Sequence, residues 1–201
     1  MTQADDHLAF DPVPASVAAY SAHADQYAAT HAPKMLAAAT RFADALPVAS
    51  LILDAGCGPG RDLARFVAHG HHARGIDLNP AFVAMASAHA PTLQCDLREL
   101  GAHFDAAAFD GIWASASLVH LLEPDARTVL DQFARLLRPG GKLFACVKRV
   151  GETGWLDEPD GRRWYTVWDA GAFAHMIGDA GFAIDELVPG EFVEVWATRI
   201  G

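Results

Sequence analysis

The sequence predicts an α/β protein built on a mostly parallel sheet, and three observations lead to that fold. A short apolar run, Leu51 to Asp54, enters a segment with glycines at positions 56, 58 and 60. Seventeen residues beyond Gly60, a second strand-like run ends in the carboxylate of Asp77. Strand-like and helix-like segments then alternate as far as residue 148. Such alternation, with nearly continuous apolar strands, indicates a sheet covered by helices on both faces.

The size and composition of the chain suit one globular domain. A chain of 201 residues that is 52% hydrophobic and 20% charged can bury one sizeable core. We expect a single domain over 1–201, with an N-terminal helical lid at 1–46 and the sheet-containing core at 47–201. The three cysteines, Cys57, Cys95 and Cys146, lie far apart in or beside apolar strands, which indicates buried reduced thiols.

Charge and hydropathy argue against nucleic acids and membranes as partners. The formal net charge of -10 repels polyanions, and no strong basic patch compensates for it. The longest apolar runs end well before the roughly 20 residues of a membrane span. The N-terminus also lacks the basic start and apolar stretch of a signal peptide. We therefore expect a cytoplasmic protein.

The elements follow from hydrophobic periodicity and from helix-starting and helix-ending residues. After about ten disordered-looking residues, we predict two helices, Pro14 to Thr30 and Pro33 to Leu46. The core helices are predicted at 61–69, 80–89, 124–137 and 170–180. The strands are predicted at 50–54, 72–77, 92–95, 109–114, 141–148, 182–188 and 192–199, the last two joined as a hairpin. The segment from Gly151 to Trp168 is predicted to be an irregular loop.

The glycine segment has the chemistry of a nucleotide-type cofactor loop. Without β-carbons, glycines allow the backbone to approach a ligand closely and to adopt the positive φ of a sharp strand-to-helix turn. An acid at the tip of the second strand, here Asp77, can accept hydrogen bonds from two ribose hydroxyls. The alternative is that Asp77 is only a capping acid before Asn79 and Pro80 open the next helix.

Five motifs in register resemble those of the class I S-adenosylmethionine-dependent methyltransferases. They are the glycine loop 54–60, the acid-ending strand 75–77, the acidic segment 95–97, the fourth strand and its tip 109–115, and the turn 136–141 before an apolar strand. The resemblance covers the chain from about residue 15 to its end. It implies a Rossmann-like, seven-stranded, mostly parallel sheet with a C-terminal antiparallel hairpin and an N-terminal helical lid.

The resemblance also implies S-adenosylmethionine as the cofactor and a set of residues around it. Asp96 would read the adenine edge, with a capping acid as the less favoured alternative, and Arg61 could meet a carboxylate. The predicted cofactor residues are Tyr27, Asp54, Gly56, Cys57, Gly58, Gly60, Arg61, Asp77, Leu78, Asp96, Leu97, Ala114 and Ser115.

The physical competitor is a nicotinamide or flavin dehydrogenase. Its pyrophosphate-binding fingerprint has glycines at the first, third and sixth places. Counted from Gly56, the sixth place is Arg61, whose bulky side chain opposes close helix packing under a pyrophosphate. The sequence therefore favours S-adenosylmethionine, which has no phosphates.

Candidates for chemistry lie near the tip of the fourth strand and on the first helix. His120 follows that tip and could act as a base or position the acceptor, or it could simply cap a short segment. Tyr20, His23 and Tyr27 share one face of the first helix, where a lid function and ordinary packing are equal alternatives. His69, His71 and His72 cluster at a turn far from this edge, so we predict no metal site.

The aromatic and basic segment 151–168 is the predicted substrate-side loop. It lies beyond the carboxyl ends of the strands, where open α/β sheets bind ligands, and with Lys148 and Arg149 it forms the one locally basic patch. A carboxylate or phosphate on the acceptor would fit it. The alternative is a loop that uses its aromatic side chains to pin itself to the domain. The substrate candidates here are Trp155, Arg162, Arg163 and Tyr165.

The expected function is S-adenosylmethionine-dependent methyl transfer to a small molecule, in a monomer or homodimer. The fourth strand lacks the Asn/Asp-Pro-Pro-Tyr segment and the Pro-Cys nucleophile used on nucleic-acid bases. An oxygen, sulfur, nitrogen or carbon acceptor stays open. A non-catalytic cofactor-binding module or sensor is the alternative, and a nicotinamide-dependent oxidoreductase ranks below it.

Overall fold

The computed structural model describes residues 10–201, so the first nine residues, within the segment expected to be disordered, lie outside the described part. Its helices are α1 (Val13–Ala22), α2 (Ala24–His31), α3 (Leu36–Asp44), α4 (Arg61–Ala68), α5 (Pro80–Ala86), α6 (Glu123–Leu136) and α7 (Ala170–Asp179). Short 3-10 helices cover Leu97–Ala102 and Leu118–His120.

Seven strands form the main sheet and two more form a separate hairpin. The main strands are β1 (Leu51–Ala55), β2 (His72–Asp77), β3 (Thr92–Gln94), β4 (Phe109–Ser115), β5 (Leu137–Lys148), β8 (Phe182–Val188) and β9 (Phe192–Arg199). The hairpin strands are β6 (Gly154–Glu158) and β7 (Gly161–Tyr165).

The main sheet confirms the predicted fold class. Its strand order is β3-β2-β1-β4-β5-β9-β8. The first five strands pair in parallel, and β9 pairs antiparallel with both β5 and β8. The order reverses between β1 and β4, because β2 and β3 lie on one side of β1 and the later strands on the other. A crevice at such a reversal is where open α/β sheets bind ligands, at the carboxyl ends of the strands.

The N-terminal segment forms three helices rather than the two that the sequence predicted. The first predicted helix breaks at His23, which separates α1 from α2. The helix predicted to begin at Pro33 is α3, and it starts only after Met35, because Met35 adopts a left-handed backbone (φ 60°). Propensity alone does not reveal this break, since both halves of the first predicted helix contain good helix formers.

The prediction of an irregular loop at 151–168 is wrong, because the centre of this segment forms the β6–β7 hairpin. The turn passes through Gly161 at φ +115°, a left-handed conformation that suits glycine. Side chains alternate between the two faces of a strand. Arg163 and Tyr165 are buried on one face, whereas Arg162 lies on the other and is 64% exposed. Because the segment is rich in polar residues, this alternation of side chains was not recognised in the sequence.

Helices cover both faces of the main sheet. On one face, the buried indole of Trp113 stacks on Phe144 with ring centroids 4.0 Å apart and donates Nε1–H to Asp62 on α4 at 3.0 Å. The three cysteines are buried and free, as predicted. Across residues 10–201, no helix combines the length and the apolar character that a membrane crossing needs.

Candidate active site

The glycine loop follows β1 at the point where the strand order reverses. Gly56, Gly58 and Gly60 have φ values of +79°, +53° and +90°. A β-carbon on Gly56 would lie 2.3 Å from Cβ of Ser117, in the segment after β4. Glycine is therefore required here both for its backbone conformation and for the close approach of the β1 and β4 loops.

Asp77 joins the glycine loop to the end of β2. Its Oδ2 accepts the Gly58 N–H at 2.8 Å, and its Oδ1 accepts the Asn79 N–H at 2.8 Å. Burial raises the pKa of Asp77, although these N–H donors oppose the rise. Because a carboxylate oxygen can accept more than one hydrogen bond, Asp77 still has capacity for a ligand.

Asp96 caps a helix and also faces a cavity, so both sequence-based readings of it have support in the geometry. Its Oδ1 accepts the N–H of Arg98 at 2.9 Å, which caps the 3-10 helix Leu97–Ala102. Its Oδ2 pairs with the Arg98 guanidinium at 2.7 Å. Arg98 also pairs with Asp11, just before α1, at 3.0 Å.

Three cavities surround these loops. The inner cavity, of about 110 Å³, lies between α1 and the carboxyl ends of the parallel strands. The predicted residues that line it are Tyr20, Tyr27, Gly56, Gly58, Asp77, Leu78, Asp96, Leu97, Ser115 and His120.

The glycine-loop cavity, of about 40 Å³, lies between the loop and α2. Asp54, Cys57 and Arg61 line it together with Tyr27, Gly56, Gly58 and Ser115. Asp54 Oδ2 is buried and has no hydrogen-bond partner among the described residues. Burial and the nearby Asp62 carboxylate raise the pKa of Asp54. Arg61 pairs with Asp62 at 2.5 Å and donates to the His31 carbonyl at 3.2 Å.

The outer cavity is the largest, at about 560 Å³, and lies between α2, the hairpin and the start of β9. Its predicted lining residues are Tyr20, Tyr27, Arg61, Ser115, Arg163 and Tyr165. Lys148, from the predicted basic patch, also lines it and pairs with Glu191 at 3.2 Å. Tyr27 and Ser115 line all three cavities, so the cavities converge at these two residues.

His120 is held through both ring nitrogens. Nδ1 lies 2.6 Å from the Trp164 carbonyl oxygen of β7, and Nε2 lies 2.9 Å from the Tyr20 hydroxyl of α1. Burial, with a smaller contribution from Arg163, lowers the pKa of His120 to about 4. The ring is therefore neutral near pH 7, and it lacks a free nitrogen facing either cavity.

Arg163 is a buried cation beside the same pair. Its side chain is 4% exposed, and Nη2 donates to Asp160 Oδ1 at 2.7 Å. The guanidinium carbon lies 4.4 Å from the centroid of the Tyr20 ring. Nε is buried and has no hydrogen-bond partner within residues 10–201. An unpaired buried donor is costly, and this N–H is available for a further hydrogen bond.

Five predicted residues do not line any of these three cavities. His23 is exposed at the break between α1 and α2. Arg162 pairs with Asp157 at 3.6 Å on the outward face of the hairpin, and Trp155 lies against it with the Arg162 guanidinium 6.0 Å from its ring. Ala114 is buried within β4, and Gly60 precedes α4.

Several lining residues were not predicted. The inner cavity adds Phe82 and Ser117, and the outer cavity adds Asp160, Phe192 and Cys146. Ser117 lies two residues beyond the predicted strand tip at Ser115, so its place in the loop just after that tip was a usable signal. Phe192 comes from β9, whose position beside β5 is a tertiary fact without a local signature.

The central part of the chain matches a known domain. Residues 52–141 match the family model described as a methyltransferase domain. That range holds the glycine loop, the acids at 77 and 96, and the fourth strand.

Two curated relatives are similar over segments of comparable length. An O-methyltransferase, rstn1, of Aspergillus nomiae is 37% identical over 100 residues, covering 46% of this chain and 44% of the relative. The ubiquinone biosynthesis O-methyltransferase of Xanthomonas oryzae pv. oryzae is 35% identical over 97 residues, covering 46% and 41%. The chain thus spans less than half the length of these relatives.

Solved structures extend the likeness of the fold to nearly the whole chain. The 1,6-didemethyltoxoflavin-N1-methyltransferase of Burkholderia thailandensis, bound to 1,6-didemethyltoxoflavin and S-adenosylhomocysteine, has a TM-score of 0.76 at 24% identity, covering 98% of this chain and 93% of that one. The magnesium protoporphyrin IX methyltransferase of Synechocystis, with bound S-adenosylmethionine, has a TM-score of 0.73 at 16% identity, covering 96% and 99%. At these identities the likeness establishes the fold.

Proposed function

We propose that the chain is a class I S-adenosylmethionine-dependent methyltransferase that transfers a methyl group to a small molecule carrying an anionic group, as the match of residues 52–141 to a methyltransferase domain supports. The observation that carries this proposal is the convergence of the three cavities at Tyr27 and Ser115. Two cavities suit the two ends of the cofactor, and the third gives an acceptor access to the point where they meet.

The residues present fit this cofactor. Asp54 Oδ2, buried without a partner among the described residues, is the complement of an ammonium group. A β-carbon on Gly56 would fill the space between the loops of β1 and β4. We assign Asp77 to the ribose, Asp96 and Leu97 to the adenine edge, and Asp54 and Arg61 to the amino-acid end.

Bound there, the cofactor supplies a methyl group already activated by a positively charged sulfur. The protein therefore has to orient the acceptor and exclude water, and orientation alone contributes about 7 to 11 kcal/mol in well-aligned cases. Tyr20 and Tyr27 cover the junction of the cavities with edge-to-face rings 5.0 Å apart. Burial raises the pKa of Tyr27 to about 12, so it remains a neutral, apolar cover.

The outer cavity supports an anionic acceptor. Arg163 offers an unpaired Nε–H from a buried guanidinium, and charged hydrogen bonds of this kind favour carboxylates and phosphates. Tyr165 and Phe192 provide aromatic walls, with Lys148 Nζ lying 5.6 and 5.3 Å from their ring centroids. The curated relatives are named O-methyltransferases, which favours oxygen as the attacking atom.

Calorimetry with S-adenosylmethionine tests the cofactor, and transfer of a labelled methyl group to a panel of aromatic and aliphatic acids tests the reaction. We expect saturable cofactor binding and label in at least one acid. Binding of a nicotinamide cofactor in its place would refute the proposal. Tight S-adenosylmethionine binding without transfer to any acceptor would instead support the alternative function, a non-catalytic cofactor-binding module or sensor.

Arg163→Ala tests the anionic end of the acceptor. Because the guanidinium lines the outer cavity and neither of the other two, we expect the acceptor KM to rise at least tenfold while the cofactor Kd stays within twofold. Arg162→Ala is the matched control, since it removes a neighbouring arginine on the exposed face of the same strand. Equal effects of the two substitutions would assign a purely structural role to the hairpin.

A further inference from the structure

We propose that the Tyr20 hydroxyl oxygen accepts a hydrogen bond from the O–H or N–H of the acceptor's attacking atom, and that His120 is the positioning residue that fixes this direction. The inference rests on the proposed function and specifies its substrate class. The acceptor is a hydroxy or amino compound that reacts at a proton-bearing atom and carries an anionic or carbonyl group for Arg163.

The direction of the Tyr20–His120 hydrogen bond follows from the partner of the other ring nitrogen of His120, which is Nδ1. The Trp164 carbonyl oxygen can only accept, so the His120 Nδ1 that lies 2.6 Å from it must carry the proton. In a neutral imidazole the second nitrogen is then an acceptor. The Tyr20 hydroxyl, 2.9 Å from Nε2, must therefore donate its only proton to His120.

This arrangement leaves Tyr20 with lone pairs and no proton to offer. Tyr20 lines both the inner and the outer cavity, beside the Tyr27 ring at their junction. Arg163, on the outer cavity, is a group that can only donate. Among charged groups of both signs, the wall of the outer cavity thus presents the accepting oxygen of Tyr20 and the donating cation of Arg163. A ligand that matches both has a proton-bearing heteroatom and an oxygen acceptor.

The same contacts define where the proton goes. The acceptor atom would form its bond to the methyl carbon with its own lone pair while the carbon–sulfur bond breaks and its electron pair stays on sulfur. The acceptor atom would also give up its bond to hydrogen. That proton moves to Tyr20 Oη as the proton of Tyr20 moves to His120 Nε2, so both hydrogen bonds reverse without an exchange with water. The positive charge that arrives with the methyl group ends on His120, still hydrogen-bonded to the Trp164 carbonyl.

The surroundings of His120 imply that the proton moves only after the attacking atom has begun to bond to the methyl carbon. Tyr20 faces it from α1, and Tyr165 and Arg163 face it from β7. Burial and Arg163 hold its pKa at about 4, whereas a phenol titrates near 10, so removing the proton before attack is about a million-fold unfavourable. Once the new bond forms, the attacking atom is strongly acidic and a weak base suffices. The transfer rate should therefore not follow a histidine titration between pH 5 and 8.

Ligand binding to Tyr20→Phe tests the contact without turnover. The probes are benzoate and its three hydroxy isomers, titrated by calorimetry into the full chain saturated with S-adenosylhomocysteine. We expect at least one hydroxybenzoate to bind the wild type more tightly than benzoate. Tyr20→Phe should weaken that isomer about tenfold and leave benzoate within twofold. Thr30→Val, which removes a hydroxyl from the α2 side of the outer cavity, should preserve the difference between the two probes.

Nitrogen-15 NMR of the histidine side chains tests the direction independently. We expect His120 to be neutral and protonated on Nδ1 from pH 5 to 8. Protonation on Nε2 would overturn the proposal, as would equal weakening of hydroxybenzoate and benzoate by Tyr20→Phe. The proposal would also fail if no hydroxybenzoate bound the wild type more tightly than benzoate. Failure of the protein to bind S-adenosylmethionine would instead refute the proposed function.

Discussion

A single carboxylate, that of Asp77, links the glycine loop to the end of β2 by accepting the N–H groups of Gly58 and Asn79. It also lines the inner cavity. The sequence presented ligand and capping roles as alternatives. In the structure Asn79 caps α5 by accepting the Ala81 N–H, and Asp77 accepts the N–H of Asn79. The ligand role of Asp77 stays a proposal that its remaining lone pairs can serve.

Asp77→Ala should weaken S-adenosylmethionine binding by about 10- to 100-fold, because charged hydrogen bonds to a ligand contribute roughly 1.5 to 3 kcal/mol. Calorimetry measures the change in Kd. Asp105→Ala removes an exposed carboxylate from the opposite, amino-terminal side of β4 and should leave the Kd unchanged. An unchanged Kd for Asp77→Ala would remove Asp77 from the cofactor site.

Neighbouring residues in the hairpin show the limit of composition as a guide. Arg162 and Arg163 are indistinguishable as a basic pair in the sequence. The alternation of β7 buries Arg163 beside Tyr20 and leaves Arg162 in solvent. Assigning the strand, and hence its period of two, is what separates them.

At the level of elements, α4 is flanked by two glycines that differ in a useful way. Gly60 precedes the helix at φ +90°, and Gly70 follows it at φ +87°. A β-carbon on Gly60 would lie 2.7 Å from Cα of Ala86 at the end of α5. A β-carbon on Gly70 would have nothing within 4 Å.

Gly60→Ala should therefore lower the free energy of unfolding by about 3 kcal/mol or more, since it adds a backbone overlap to the strain of a left-handed residue. Gly70→Ala should cost only about 1 to 2 kcal/mol, because it carries the strain alone. Urea unfolding measures both. Equal losses would mean that α4 and α5 separate easily, and that Gly60 serves only the backbone turn.

Across the whole molecule, the neutral state of His120 couples stability to pH. In the folded protein its pKa is about 4, below the value of 6.5 of an unperturbed histidine. Between these values the unfolded chain binds a proton that the folded protein does not, so stability falls as pH drops from about 6.5 to 4. Buried Asp54 and Asp77 have raised pKa values and act in the opposite sense.

The comparison of wild type with His120→Gln isolates this contribution, because the other groups are common to both proteins. From pH 7 to pH 4, the wild type should lose about 3 kcal/mol more unfolding free energy than the variant. Chemical denaturation at a series of pH values measures the difference. Parallel curves would show that His120 titrates normally in the folded protein, which would also contradict its buried position between Tyr20 and Trp164.

By itself, the sequence determined that a mostly parallel sheet forms, that a glycine loop follows its first strand, and that Asp77 and Asp96 lie at or just after strand ends. These features are local: hydrophobic periodicity, positive-φ glycines and strand-end carboxylates are each set within a few residues. Five such motifs in register were enough to indicate a resemblance to the methyltransferases, and residues 52–141 match a methyltransferase domain.

Only the tertiary structure decided the acceptor side. The outer cavity combines α2, the β6–β7 hairpin and β9, which are distant in the chain, and the Tyr20–His120 pair joins residues 100 positions apart. Contacts of that kind depend on how elements pack, and the direction of a hydrogen bond depends on the partner of the opposite ring nitrogen. Neither has a signature in local sequence.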